Sequence, residues 1–228
     1  MKKSILFKIL IPMIMMIAAT TVKAQITTLA GLPGAAAAYC AGEAVKLAAA
    51  STGTTFVWKR YPGKDLLGTP VTLTETTANL SDVPTAPGYY TYVSIASNAN
   101  CTSDVSTPVT IYALPTISAA ITGPTTACVS DLASKTLTAT ASNLETADTE
   151  VFGYTYKWFK NGTAITGATG STYTLSPTTD AAIGSQAFTV QVSYVLTSHG
   201  GSNCMQTSSA ANVDVQANPT TPVVTIQP

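Results

Sequence analysis

Phe56-Val57-Trp58-Lys59 and Tyr156-Lys157-Trp158-Phe159-Lys160 read as one strand written twice, with the two Trp residues 100 positions apart. Phe56 and Trp58 fall on one face and Val57 and Lys59 on the other, the period of two that marks a half-buried strand. Outward from each Trp the same landmarks recur in the same order. Val45-Lys46-Leu47-Ala48-Ala49-Ala50-Ser51 precedes the first, and Lys135-Thr136-Leu137-Thr138-Ala139-Thr140-Ala141-Ser142 the second. Gly88-Tyr89-Tyr90-Thr91-Tyr92-Val93 follows the first, and Gln186-Ala187-Phe188-Thr189-Val190-Gln191 the second. Cys40 and Cys101 bracket one set; Cys128 and Cys204 bracket the other. Offsets grow from 88 at the first Cys to 100 at Trp and 103 at the last Cys, so the extra residues fall in loops. Four ordered landmarks predict two like domains meeting near Leu114-Pro115.

Between the landmarks the chain is strand and turn. Val71-Thr72-Leu73-Thr74 and Val109-Thr110-Ile111-Tyr112 are β-branched runs, and Gly and Pro punctuate at Pro62-Gly63, Gly68, Pro84, Pro87-Gly88, Gly123-Pro124 and Gly167. No stretch keeps a helical period for long. The alanine tract at residues 35–38, closed in by Pro33-Gly34 and Cys40, is expected to be a loop or an edge segment. Short strands at this spacing predict a sandwich or barrel.

Residues 1–24 stand apart. Lys2, Lys3 and Lys8 give a positive start, a short Met- and Ile-rich apolar run follows, and Val22 and Ala24 place small residues before Gln25. This is the pattern of a cleaved signal peptide, with an apolar run too short for a comfortable membrane span. The expected location is secreted or cell surface, with no membrane insertion once the leader is gone. Four of the 11 basic residues leave with it, so the remaining 204 residues carry 7 basic against 11 acidic residues, a net of −4. Such a weakly acidic surface offers no electrostatic footprint for nucleic acid. With 46% apolar residues, ten Tyr and two Trp, the chain can build cores rather than remain disordered.

Several stretches together resemble the immunoglobulin-like domains found in arrays in secreted and cell-surface proteins of Bacteroidetes. They are Cys40-Ala41-Gly42-Glu43-Ala44-Val45-Lys46-Leu47, Trp58, Gly88-Tyr89-Tyr90-Thr91-Tyr92 and Asn100-Cys101-Thr102-Ser103 in the first repeat. The second adds Trp158-Phe159-Lys160-Asn161-Gly162, Ile165-Thr166-Gly167-Ala168-Thr169 and Thr172-Tyr173-Thr174-Leu175. The resemblance implies an all-β chain: two tandem immunoglobulin-like β-sandwich domains after a cleaved signal peptide. Residues 25–114 form domain 1 and 115–217 domain 2, while 218–228 are a linker or the start of a further strand. Trp58 and Trp158 are then the buried rings between sheets, with Leu47, Leu137, Tyr90 and Phe188 as further core positions. Tyr90 stands where a tyrosine corner would bond back to nearby backbone, a bond Phe188 cannot make. The family implies extracellular spacer, adhesive or substrate-binding modules, often beside further domains of the same kind. Pro219-Thr220-Thr221-Pro222-Val223-Val224-Thr225-Ile226 reads like an interruption, as in a longer array cut short.

Four Cys in an exported chain point to structural disulfides. In an antibody-type domain the bridge would join positions held here by Ala49 and Tyr92. Cys40 lies nine residues before the one and Cys101 nine after the other, which places them at opposite ends of the sandwich. Either that register is wrong and each domain closes its own bridge, Cys40–Cys101 and Cys128–Cys204, or a bridge joins neighbouring domains. The second reading brings Cys40 to Cys204 and leaves Cys101 and Cys128 unpaired unless further domains exist. Because it satisfies all four thiols, the within-domain pairing is favoured.

Catalytic signals are lacking. His199, the one His, has no nucleophile motif to serve and reads as an exposed loop residue. Asp148 and Glu150 flank Thr149 in the loop before the second Trp strand and Asp104 follows Cys101; calcium needs several oxygen ligands in one place, so a solvated loop is the favoured reading and a calcium site at Asp148/Glu150 the lesser one. No phosphate-binding Gly-rich loop, paired carboxylates, metal site or cofactor motif is present. Aromatics alternating away from the core are the candidates for ligand contact: Tyr61, Tyr89 and Phe159. The expected function is therefore a non-enzymatic extracellular spacer or adhesion module, with an extracellular protein or neighbouring immunoglobulin-like domains as partner. The alternative is a polysaccharide-binding protein of a secreted degradative system, its sugar stacked on those rings.

Overall fold

The computed structural model describes residues 24–143 and 150–227, so the leader call and Asp148 lie outside the described residues, Ala24 excepted. Among the described residues the regular elements are strands, apart from two 3-10 helices at Leu29–Gly31 and Val129–Ser134. In the first half, β1 (Ala37–Tyr39), β7 (Val109–Ala113), β6 (Gly88–Ser97), β3 (Thr55–Pro62) and β4 (Val71–Thr72) form one sheet in that order, facing a pair made by β2 (Val45–Ala48) and β5 (Asn79–Asp82). In the second half, β12 (Thr163–Ala164), β11 (Tyr154–Lys160), β14 (Gly184–Tyr194), β16 (Ala211–Gln216) and β9 (Thr126–Cys128) form the larger sheet, with β15 (Met205–Thr207) also paired to β14. Facing it are β13 (Thr172–Thr174), β10 (Thr136–Asn143) and β8 (Ile117–Thr122). The end of the alanine tract becomes the edge strand β1. β1 runs parallel to β7 as β9 does to β16, so both halves close the same way.

Each half buries apolar residues from both of its sheets, which makes it a sandwich. Val45 and Leu80 meet Phe56, Trp58, Tyr92 and Ile111 in the first; Leu137 and Leu175 meet Trp158, Phe188, Val190 and Val213 in the second. Each indole N–H donates to a backbone carbonyl at 2.9 Å, Trp58 to Thr77 and Trp158 to Gly170. The ring is thereby buried without stranding its donor. Leu47 departs from the expected core: it is only half-buried, and Val45, two residues earlier on the same face, is the closed position of β2.

Strand register corrects the sequence match in one place. Trp58 lies opposite Ser94 and Trp158 opposite Val190, while Gly88 lies opposite Ala113 and Gly184 opposite Val215. Equivalent residues of β6 and β14 are thus 96 apart rather than 98, so Phe188 answers Tyr92, and Gln186 answers Tyr90. A slip of two preserves which face each residue occupies, so the hydrophobic pattern could not expose it. Gly88 and Gly184, with φ of +127° and +108°, hold the true register, because each starts its strand in a left-handed conformation. The Tyr90 hydroxyl donates to the Ala86 carbonyl at 2.9 Å, and the buried Gln186 side-chain amide donates to Ala182, again four residues upstream. The second domain does have its corner, made by an amide.

A charged pair is repeated as well, two residues after each Trp. Arg60 grips both oxygens of Asp82 at 2.9 and 2.8 Å, and the Tyr92 hydroxyl adds a third bond at 2.7 Å. Lys160 reaches Asp180 at 2.9 Å and also bonds the Thr179 carbonyl. The Tyr173 hydroxyl and the Ser176 N–H complete the shell of Asp180, each at 2.7 Å. Burial opposes the Asp180 charge, yet the Ser176, Tyr173 and Lys160 bonds outweigh it and hold the carboxyl below its ordinary range. Burial and the Asp180 acceptor push Tyr173 up to about 12.

Candidate interaction surfaces

The three aromatics singled out for ligand contact do not form one platform. Tyr61 is on β3 of the first sandwich and Phe159 on β11 of the second, each half-buried, with the Lys157 ammonium 5.4 Å from the Phe159 centroid. Tyr89 does alternate away from Tyr90, but the face it reaches is not open. Its ring packs edge-on against Tyr112 at 4.7 Å and belongs to the second sandwich's core, with Lys64 over its other side at 4.0 Å. Tyr89 is a joint residue, and is withdrawn as a ligand contact.

That joint is the most heavily built part of the molecule. Tyr112 leads to Phe152 at 5.8 Å, Phe152 to Tyr194 at 5.1 Å, and Tyr194 stacks on Tyr154 at 5.4 Å, an aromatic chain running from one sandwich into the other. The Tyr194 hydroxyl donates to the Pro115 carbonyl at 2.8 Å, which fixes the linker itself. Ile26 forms a parallel bridge with Phe152, and with Leu32 it is buried in the second sandwich's core. The N-terminal segment is therefore tied across the joint. On the other side the His199 N–H donates to Ala38 at 2.7 Å, and its exposed ring lies 5.3 Å from Tyr39.

The disulfide crosses the same joint. Cys40 bonds Cys204, with Cα atoms 5.5 Å apart, and Cys101 and Cys128 are free thiols. This overturns the favoured pairing within each domain, and Cys101 and Cys128 are not structural disulfides here. The physical reason is the direction of the strands. Cys40 follows β1 at the end of the first sandwich that faces the second, whereas Cys101 lies beyond β6 at the far end. Cys40 and Cys128 occupy equivalent places at the end of the strand parallel to the last one, Cys40 just after β1 and Cys128 the last residue of β9. Each backbone N–H also bonds a carboxylate three residues on, Glu43 and Asp131, both at 2.8 Å. Cys101 and Cys204 are equivalent too, since the residue after each lies opposite equivalent positions of the long strand: Thr102 opposite Ser97, and Met205 opposite Ser193.

The two sandwiches differ at one edge. In the second, β8 pairs with residues 138–143 of β10. The Ala49-to-Ala78 and Ala139-to-Ser171 bonds make Ala49 the equivalent of Ala139, so the matching stretch in the first sandwich is residues 48–53. Among the described residues no strand lies along it: that sheet is β2 paired with β5. The residues before β1 run to the joint, where Ile26 and Leu32 are buried. What remains is a cavity of about 400 Å³, lined by Leu47, Ala49, Trp58, Tyr92, Ser106 and Val109 among others. Leu47 is half-buried because it lines this opening.

A second cavity of about 480 Å³ surrounds Lys160 and Asp180, but these two already bond each other. Among the described residues no three of His, Cys, Asp and Glu gather to hold a metal ion, and no helix is long and apolar enough to cross a membrane. Asp104 is exposed beside the trough.

No family model and no curated protein matches the chain. Among solved structures it is similar to the fibronectin(III)-like modules of Clostridium thermocellum CbhA, at 17% identity and a TM-score of 0.35 over 81% of this chain and 92% of that one. The chicken CNTN1 FN1–FN3 domains are similar at 11% identity and a TM-score of 0.34 over 79% of this chain. An amphioxus IgVJ-C2 molecule is similar at 11% identity and a TM-score of 0.31 over 76% of this chain and 98% of that one. The chain spans 62% of the length of the CNTN1 structure. The fold is all-β, of the immunoglobulin-like sandwich type, on the sheet order and core described above.

Proposed function

We propose that this chain is an exported, non-catalytic structural module whose two immunoglobulin-like sandwiches are held end to end at a fixed angle, as a spacer or adhesive piece at the cell surface. The observation that carries this reading is the stapled joint. A flexible pair of domains needs neither a disulfide across its linker nor a shared aromatic core, and domain pairs without a large apolar interface move freely by default. The Cys40–Cys204 bridge spans 164 positions of sequence. Closing a loop of that length removes about 5 kcal/mol of unfolded-chain entropy in the simplest model. Such a bridge also requires an oxidising compartment, consistent with the leader.

Spin labels on exposed positions of the two sandwiches test this. A single narrow distance distribution is expected for the native chain, broadened in Cys40→Ser/Cys204→Ser; a distribution already broad in the native chain would sink the spacer reading. The polysaccharide reading makes a different prediction: retention on a glycan array that is lost in Tyr61→Ala and Phe159→Ala. No retention is expected, because the two rings belong to different sandwiches and are half-buried.

A further inference from the structure

We infer that copies of this chain join head to tail. Residues 219–227 of one copy lie as a strand along residues 48–53 of the next, and Cys128 of the first is bonded to Cys101 of the second. This goes beyond the spacer reading by naming the partner, and shares with it only the oxidising compartment.

Three observations meet at this joint. The first is the empty strand position in the first sandwich, whose counterpart in the second is filled by β8. The backbone of residues 48–53 runs on past the end of β2 beside an open trough lined by both polar and apolar side chains, and backbone without a strand neighbour is a template for an added strand. The second is the stretch after β16, which joins no sheet among the described residues. Residues 217–227 continue from β16 as the linker and β8 continue from β7, and Val223, Val224 and Ile226 are 88, 93 and 99% exposed. The frames agree: Pro115-Thr116 is followed by Pro124, and Pro219-Thr220 by Pro228, at the same spacing. The third is the thiols. Within the chain, the Cys after the first sandwich's parallel strand bonds the Cys of the loop that flanks the start of β8, for Cys204 lies in one small cavity with Cys40, Pro115, Thr116 and Ile117. The equivalent pair across two copies is Cys128 and Cys101. Cys101 is exposed and lies with Ser51, Thr52 and Gly53 at the end of the trough where the entering strand would begin. Trough, strand and both thiols thus specify one contact with one polarity, a repeat of the internal joint. Such a heterologous contact passes from copy to copy and builds a ring or a filament according to the rotation between copies.

Bridge formation removes one proton and one electron from each thiol. The two electrons pass to a disulfide oxidant, such as oxidised glutathione or a dithiol–disulfide oxidoreductase, which is reduced to its thiols.

The test uses residues 25–228 in a glutathione redox buffer. A ladder of bridged species is expected on non-reducing gels, with a Cys101–Cys128 peptide that joins differently isotope-labelled copies. Cys101→Ser alone and Cys128→Ser alone should each abolish the ladder, and mixing the two variants should give dimers and nothing longer. A peptide of residues 218–228 should bind the chain, protect the amides of residues 48–53 from hydrogen exchange and block the ladder. Val223→Asp/Val224→Asp/Ile226→Asp, all at exposed positions, should lose assembly while leaving the monomer folded. Monomers only, Cys101–Cys101 or Cys128–Cys128 bridges as the main product, a peptide that does not bind, or residues 48–53 already protected in the monomer by residues 25–35 would each overturn it. The spin-label distances are measured on monomers, so the spacer reading stands or falls separately.

Discussion

Replacing Phe152 by Ala is expected to remove about 3–5 kcal/mol and to split the unfolding of this chain into two steps. Phe152 is 2% exposed and stands between Tyr112 of the first sandwich and Tyr194 of the second, with the Ile26 bridge on its own backbone. Truncation leaves a cavity at the one place where both cores and the N-terminal segment meet. The Cys40–Cys204 bridge keeps the sandwiches close, so the surroundings cannot collapse to fill it. Each sandwich holds one Trp, so single-Trp backgrounds carrying Trp58→Phe or Trp158→Phe report the halves separately in a urea titration. Coincident transitions are expected with Phe152 present and separated ones in Phe152→Ala. Val151→Ala, at a position 40% exposed, is the control and should leave the transitions together. Coincident transitions in Phe152→Ala would show that the joint is not cooperative.

Asp180→Asn should cost about 3–5 kcal/mol and remove part of the acid sensitivity of the second sandwich. The Asp180 side chain is 1% exposed and that of Lys160 23%, so the ammonium loses its counter-charge in a place water reaches poorly. The carboxyl is held below its ordinary value by the Ser176, Tyr173 and Lys160 bonds, which together outweigh burial. Its stabilisation is therefore complete above the unfolded value of about 4 and is lost as pH falls through the folded one. Native chain and variant should thus converge in stability toward low pH. Tyr173 shows the opposite sign. With its folded value raised to about 12, the stabilisation is present below about 10 and is lost as pH rises through that window. Tyr173→Phe should flatten that alkaline loss. Thermal melts between acid and alkaline pH measure both, and parallel curves for Asp180→Asn would refute the first.

Much of the fold could be read from local pattern. A lone Trp in an alternating strand, written twice, marks the strand on which each sandwich is centred, and burial of Trp58 and Trp158 follows from the same period of two. The slip that set Phe188 against Tyr90 shows the limit of that pattern, since it cannot distinguish offsets that differ by an even number. The paired glycines at 88 and 184 were the better anchor, for a left-handed φ tolerates no such slip. The cysteines failed for a different reason. Strand direction already placed Cys40 and Cys101 at opposite ends, and counting thiols within one chain overrode that geometry.

From sequence alone came what depends on neighbours along the chain: strand content and the repeated order of the landmarks around each Trp. The tertiary structure decided everything that depends on how one repeat meets the next. It drew residues 24–36 across the joint instead of along β2, turned Tyr89 from an outward ring into interface core, and paired Cys40 with Cys204. No local pattern records such choices, because they are made by competition between distant surfaces. In the first sandwich the apolar joint holds Ile26 and Leu32, and among the described residues no strand lies along residues 48–53.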